Sequence, residues 1–302
     1  MSAANKNYLL CDRSGAETDD KCGMAFWWNR KENGKGIVPV AENIHFVVGA
    51  QIHEDFATIA TMPDISAKAL KVMVADILSP LTEEDRKDHR KMELVYRRLG
   101  WICGWALFVE PTIRDAWDNV GIEHELVLDR DPLYVAVTPD RLLGNKKYGF
   151  VKYLDLKSTR FATQQWLQSW PFQIQIHTSL AAVKEEFAPR EIRYATVCGL
   201  MKGNKSFSDN RLVHPYVWAY ENIKTGQWTH EYQRGSDWIL MPTWEYPDGI
   251  VEWVLKCGEE CARMQFPMTA PIFLNEDMLD GWIKRRTFRE KQIQVIEELC
   301  RT

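Results

Sequence analysis

Asp140, Asp155 and Lys157 are residues whose types and spacing could do chemistry. They punctuate two apolar runs. Residues 135–143 read Val-Ala-Val-Thr-Pro-Asp-Arg-Leu-Leu, and residues 151–157 read Val-Lys-Tyr-Leu-Asp-Leu-Lys. Alternate side chains of a strand share a face, so Asp155 and Lys157 point one way while Leu154 and Leu156 point the other. Residues 144–149, Gly-Asn-Lys-Lys-Tyr-Gly, are turn formers. They fold the two runs back on each other and bring Asp140 close to Asp155. Two carboxylates and an ammonium on one small surface suit a hard divalent cation and an activated water. The competing reading is an Asp–Lys ion pair on a surface strand, which has little energetic consequence.

Other elements must carry the partners of this hairpin. From residue 42 the residues Phe46, Gly49, Ala50, His53, Ala57 and Ala60 recur at helical spacing and define one buried face. His53 lies on that face, one turn after Gly49. A histidine there is either a hydrogen-bonded core residue or a ligand. Glycine costs helix stability, so Gly49 points to a close neighbour. Residues 122–128 read as a strand leading into the hairpin, with Glu123 and Glu125 on one face. Glu125 is a candidate additional ligand or a carboxylate facing water. Ser169 and Pro171 open a helix over 172–187. Gln173 and His177 are one turn apart on it, and both side chains can bond a phosphate, a water or a base.

The rest of the chain supplies framework. Helices are expected over 67–78, 248–264 and 277–299, and strands over 192–200 and 212–220. Thr82, followed by three acids, starts a long helix rich in Arg86, Lys87, His89, Arg90, Lys91, Arg97 and Arg98. The last helix carries Lys284, Arg285, Arg286, Arg289 and Lys291. Each basic stretch is either a solvated face or a surface that tracks phosphates. Residues 100–109 are apolar and belong inside. Gly203-Asn-Lys-Ser lacks the ending of a phosphate loop, so a hairpin turn is expected there and no ATP-driven motor.

Bulk properties exclude several classes. The 302 residues are 45% hydrophobic and 26% charged, as in ordinary globular proteins. The net charge of -4 confines any nucleic-acid surface to a local patch. The 13 Trp read mostly as core. Seven Cys with no signal-peptide pattern suggest reduced thiols in a cytoplasmic setting, with Cys103 and Cys198 as core residues. No run of about 18 apolar residues occurs, so no membrane span is expected.

Taken in order, Gly49-x3-His53, Pro139-Asp140, Asp155-Leu156-Lys157 and Gln173-x3-His177 resemble the PD-(D/E)XK nuclease superfamily. Within it the chain looks like the RecB-type branch, which includes CRISPR-associated and phage-encoded exonucleases. The family pattern is a Gly-x3-His helix, an Asp at a strand end, an Asp/Glu-x-Lys strand and a following Gln-x3-Tyr helix. The likeness covers about residues 22–220. It implies an α/β fold: a restriction-endonuclease-like core with a mixed central β-sheet flanked by helices, plus helical additions. A single nuclease domain, 1–302, would place its core at about 22–60 and 120–220, a helical insertion at about 61–119 and a C-terminal helical segment at about 245–302. The likeness also implies that His53, Asp140, Asp155 and the Leu156 backbone carbonyl bind one or two Mg²⁺ or Mn²⁺ ions. Lys157 would orient the attacking water and help deprotonate it, and Gln173 would hold the site or the DNA strand. His177 departs from the family by standing at the Tyr position. Some relatives carry an iron–sulfur cluster on one upstream and three downstream cysteines. Here Cys11 or Cys22 would serve upstream, but only Cys257 and Cys261 lie close together downstream, so no cluster is expected.

The function expected is therefore a metal-dependent DNA exonuclease acting in end processing, recombination or phage genome metabolism. Its setting would be the cytoplasm of a bacterial or phage-infected cell. Arg90, Lys91, Arg97, Arg98, Lys284, Arg285 and Arg286 would contact DNA. A helicase, a recombinase or a single-strand annealing protein would be the partner. The alternatives are an endonuclease of the same fold and a non-catalytic nucleic-acid-binding subunit.

Overall fold

The protein is described here from a computed structural model covering residues 9–12, 44–159, 162–201, 220–222, 227–234, 237–241 and 247–301. It begins with a short strand, β1 (Leu9–Asp12). Helix α1 (Ile44–Thr61) forms, but its buried face is Ile52, Phe56, Ile59 and Ala60. Of the face expected to be buried, His53 and Ala57 are only half-buried and Ala60 alone is inside, while the side chains of Phe46, Gly49 and Ala50 lie outside the described residues. Helix α2 (Ala67–Leu78) starts where the Ser66 hydroxyl accepts the Ala69 N–H, and it buries Leu70, Val74 and Leu78. Thr82 and Asp85 cap α3 (Glu83–Lys87) reciprocally. The long basic helix expected from Thr82 is broken: Asp88 turns extended at ψ 100, and α4 (His89–Gly104) starts afresh. A π-helical turn, Trp105–Val109, joins α4 to α5 (Glu110–Ala116). The apolar stretch is inside as expected from Gly100 to Ala106.

The strands that follow serve two sheets. They are β2 (Trp117–Ile122), β3 (Leu126–Arg130), β4 (Leu133–Val137), β5 (Arg141–Asn145), β6 (Val151–Thr159) and β7 (Ile192–Met201). The central sheet runs β2-β5-β6-β7. Its first two pairings are antiparallel and its last is parallel, so the sheet is mixed. A second sheet runs β1-β4-β3. The β5–β6 hairpin forms as read, with Arg141 opposite Leu154 and Gly144 opposite Val151. Its turn closes through Gly149 at φ 74, a left-handed conformation that glycine adopts without steric cost. The Asn145 side chain accepts the N–H groups of Lys147 and Tyr148.

Two expectations need correction. The run 135–143 is not one strand: Val135 and Val137 lie in β4 of the second sheet, and the central strand starts after Pro139 at Arg141. Nor is 122–128 one strand. The chain turns a corner at Glu123, between β2 and β3, so Glu123 and Glu125 do not share a strand face.

Helix α6 (Gln164–Ser169) is capped by Thr163, and a 3₁₀ turn, Trp170–Phe172, precedes α7 (Ile174–Glu186). Ser169 therefore ends one helix rather than opening the next. Strands β8 (Tyr220–Asn222), β9 (Gln227–Arg234) and β10 (Asp237–Met241) pair with one another. Helices α8 (Pro247–Gln265) and α9 (Glu276–Arg301) close the chain, and α8 is interrupted at Gly258, φ 74. The start of the family likeness at residues 22–43, the turn at 203–206 and most of the expected strand 212–220 lie outside the described residues, as do the side chains of Cys11, Cys22, Cys257 and Cys261.

The alternation of β6 divides the core in two. Leu154 and Leu156 share a core cluster with α1, α2, α4 and α8, through Ile52, Phe56, Val74, Leu99 and Val254. Residues of the expected helical insertion at about 61–119 share one core with the sheet. Val151 and Tyr153 pack on the other side with Ile176 and Leu180 of α7, the second sheet, and Leu279 and Trp282 of α9. The molecule is mixed α/β, with a mixed sheet flanked by helices. Among the described residues no helix is long and apolar enough to cross a membrane.

Candidate metal centre

Three elements converge at one end of the central sheet. Helix α1 presents His53, the residue just before β5 is Asp140, and the corner after β2 is Glu123. His53 Nδ1 lies 3.3 Å from Asp140 Oδ1 and 3.6 Å from Glu123 Oε1. The three donor atoms all fall within 4.8 Å of one another, and among the described residues no other trio of possible ligands does so. Donors about 2.1 Å from an octahedral ion stand about 3.0 Å from their cis neighbours and about 4.2 Å across the ion. One imidazole nitrogen and two carboxylates at this spacing fit a divalent cation such as Mg²⁺ or Mn²⁺.

The backbone holds this trio at some cost. Glu123 adopts φ 45, in the left-handed region that non-glycine residues avoid. Its N–H donates to the Asp140 carbonyl at 3.1 Å, tying the corner to the start of β5. Asp140 Oδ2 accepts the Leu156 N–H at 2.6 Å, which ties it to β6 as well. That bond leaves Oδ1 directed at His53. A cleft beside the trio is lined by His53, Phe56, Trp105, Ile122, Glu123 and Leu156, among others.

Asp155 is next to this trio but not in it. Its side chain is buried at 1% exposure and faces the opposite layer, as strand alternation dictates. Lys157 Nζ lies 2.8 Å from Asp155 Oδ2. The Tyr153 hydroxyl and Gln175 Nε2 both donate to Oδ1, the latter at 3.4 Å. Lys157 is 28% exposed, so the pair reaches from the interior to the surface.

The electrostatics express crowded negative charge. Burial alone would lower the His53 pKa, but hydrogen bonds to Asp140 and Glu123 outweigh it and push the imidazole up from 6.5 to about 10. Burial opposes ionisation of Asp140, yet His53, Lys157 and the Leu156 N–H together hold it below the usual carboxylate range. Asp155 goes the other way. Burial raises it, and neighbouring Asp140 adds to that, against the pull of Lys157.

The expected partners on α7 are arranged differently from the sequence reading. Gln173 is exposed at the N-cap position and makes no side-chain capping bond. Gln175, two residues on, is the glutamine that reaches Asp155. His177 is buried at 1% exposure, with Nε2 2.8 Å from the Pro171 carbonyl and Nδ1 accepting the Asn275 N–H at 3.2 Å. Both ring nitrogens are used by the backbone, which makes His177 a structural residue joining α7 to the start of α9. Glu125 is exposed and outside the trio. Sequence reasoning thus missed Glu123 and Gln175 as site residues. The signal for Gln175 was available: it is the first polar residue after Gln173 on a helix that is otherwise buried to Val183.

The basic residues divide similarly. Arg98 is held by Asp55 at 2.6 and 2.8 Å and by Gln51 at 3.1 Å. Lys91 pairs with Asp85 at 2.5 Å. Arg286 is 2% exposed and bonded to Glu290, so it presents nothing to a surface phosphate. Lys284 and Arg285 are exposed, and the side chains of Arg90 and Arg97 are outside the described set. Cys103 and Cys198 are buried free thiols, and burial pushes Cys103 up to about 12. No family model matches the chain, and no curated protein matches it in sequence.

Proposed function

We propose that this protein is a divalent-metal-dependent deoxyribonuclease with a restriction-endonuclease-like core, acting as an exonuclease. The observation that carries this reading is the convergence of His53, Glu123 and Asp140 beside the Asp155–Lys157 pair, at one end of a β-hairpin. His53, Glu123 and Asp140 would hold one Mg²⁺ or Mn²⁺, with the Asp155–Lys157 pair beside them rather than among the ligands. When bound, such an ion would supply charge neutralisation at the phosphate and a more acidic water. Lys157, anchored by Asp155, orients that water from the solvent side. Tyr153 and Gln175 keep Asp155 from turning away. The apolar floor of the cleft, with Phe56 and Trp105, excludes bulk water and strengthens each charge interaction above it.

The test is to incubate the purified chain with end-labelled linear DNA and with covalently closed circular DNA, in Mg²⁺, Mn²⁺ or chelator. Shortening of linear DNA alone, only with metal, and its loss in Asp155→Ala, is the expected result. Cleavage of the closed circle would make the protein an endonuclease. No cleavage of either substrate with any metal, or an Asp155→Ala variant as active as the parent, would remove the proposal.

A further inference from the structure

At the opposite end of β6, the face that carries Leu154 and Leu156 leaves the helical cover and becomes aromatic. By strand alternation Phe150, Lys152, Leu154 and Leu156 share that face. Phe150 has Tyr148 on one side, ring centroids 6.5 Å apart at 17°, and Tyr194 on the other at 6.1 Å. Phe273 continues the row, 6.2 Å from Tyr194. The two outer rings are open: Tyr148 and Phe273 are each 65% exposed, while Phe150 beneath them is 7% exposed. Large aromatic rings left in water at both ends of a packed row are a surface that needs explaining.

Cations are interleaved with the rings. The Arg193 guanidinium lies 4.2 Å over Phe150, Lys147 sits 5.1 Å from the Tyr148 ring, and Lys152 lies 4.2 Å over Trp117. Arg193 is there because of a β-bulge. Val151 pairs with Ile192 and Lys152 with Tyr194, so Arg193 is the extra residue of β7. A bulge of this kind re-aims a side chain. The carboxylates paired with this patch are Glu191, 3.0 Å from Arg193, and Asp118, 3.8 Å from Lys146. Four cations (Lys146, Lys147, Lys152 and Arg193) against these two acids make a locally positive strip on a chain whose net charge is -4.

We infer that Tyr148, Phe150, Tyr194 and Phe273, with Lys147 and Arg193, form a binding platform for single-stranded DNA, remote from the metal centre. Exposed rings offer π-faces that unpaired bases can stack on, whereas a duplex keeps its base faces to itself. Interleaved cations select a polyanion over an uncharged proline-rich peptide. Phe150 and Lys157 are seven positions apart, roughly 23 Å along an extended strand, and on opposite faces of the sheet. The choice of DNA rests on the proposed nuclease reading; the platform itself does not.

The full-length chain tests this with a fluorescein-labelled fifteen-nucleotide oligothymidylate, read by anisotropy in chelator so that no cleavage occurs. The parent should bind, more weakly as salt rises. Tyr148→Ala and Phe273→Ala should each weaken binding about tenfold, and Lys147→Gln should flatten the salt dependence by about 0.7 in log–log slope. All three positions are exposed, so thermal unfolding should match the parent. A Tyr148→Ala/Phe273→Ala double variant that binds like the parent would overturn the platform, as would binding of oligouridylate or a proline-rich peptide in preference to the DNA. If the chain never cleaves DNA yet the double variant loses binding, the platform stands and the nuclease reading falls. If it cleaves while the double variant binds unchanged, the reverse holds.

Discussion

Asp140 and Arg141 are neighbours in the chain, yet they belong to two charged clusters of opposite character. Arg141 forks onto Glu110 at 2.6 and 2.8 Å, and Arg114 and Trp105 also donate to Glu110. Asn119 accepts from Arg141 Nε at 2.6 Å. The Glu110 side chain is 0% exposed, and every donor around it has a partner. That cluster pins α5 and the π-turn to the central sheet. The other cluster gathers Glu123 and Asp140 around His53, with the Asp155–Lys157 pair beside them. Its acids crowd one another, its histidine carries a proton that a bound cation would displace, and its corner residue is strained. A satisfied buried network makes structure; a surplus of convergent carboxylates on a strained corner makes a place for a cation.

This contrast can be broken in four ways. The largest effect belongs to Asp140→Asn, which removes a ligand charge with little change of shape. DNA cleavage should fall by about a thousandfold or more, and the rise in Tm on adding Mn²⁺ should vanish. Normal cleavage in this variant would erase the difference between the clusters. Next, Arg141→Ala strands a buried carboxylate and should destabilise the fold by about 3–5 kcal/mol, read by urea unfolding. A loss under about 1 kcal/mol would mean that water enters and replaces the guanidinium.

The third prediction concerns acid. Burial would raise the Glu110 pKa, but Arg141, Arg114 and Trp105 overcome it and hold the carboxyl below its usual range. Its folded pKa is thus below its unfolded one. The stability it contributes is complete above the unfolded pKa, about 4.3, and is lost as pH falls from there through the lowered folded value. Glu110→Gln should be less stable than the parent at neutral pH, and the gap should narrow below about pH 4, as measured by denaturant midpoints. An equal gap at both pH values would deny the carboxylate its part. The smallest effect is expected from Glu123→Gly. Glycine accepts φ 45 freely, so stability should rise by roughly 1 kcal/mol while the metal response weakens. Unchanged metal response would take Glu123 out of the centre.

Much of this was legible because local rules dominated. The helix over 67–78, the Thr82 cap and the 144–149 turn each depend on residues close in sequence, and the fold forms them as read. The Asp155–Lys157 pair follows from strand alternation alone. Glu123 was not legible as a member of the trio, because its position depends on a corner that ends one sheet and opens another. Gln175 was missed for Gln173 because the start of α7 is set two residues later by the 3₁₀ turn at Pro171. His177 looked chemical and is structural, since its two partners, the carbonyl of Pro171 and the N–H of Asn275, include one from 98 residues away. Arg286 looked like a surface charge until Glu290 and the packing of α9 enclosed it.

The sequence by itself determined which residues carry charge, where strands alternate and where the hairpin turns, because those follow from spacing within a few residues. Only the tertiary structure decided that Asp140 faces His53 while Asp155 faces Gln175. It alone decided that Arg193 lies over Phe150. Those choices depend on how α1, α7 and two sheets pack against one hairpin, and no local pattern encodes distances between elements that meet only after the chain has folded.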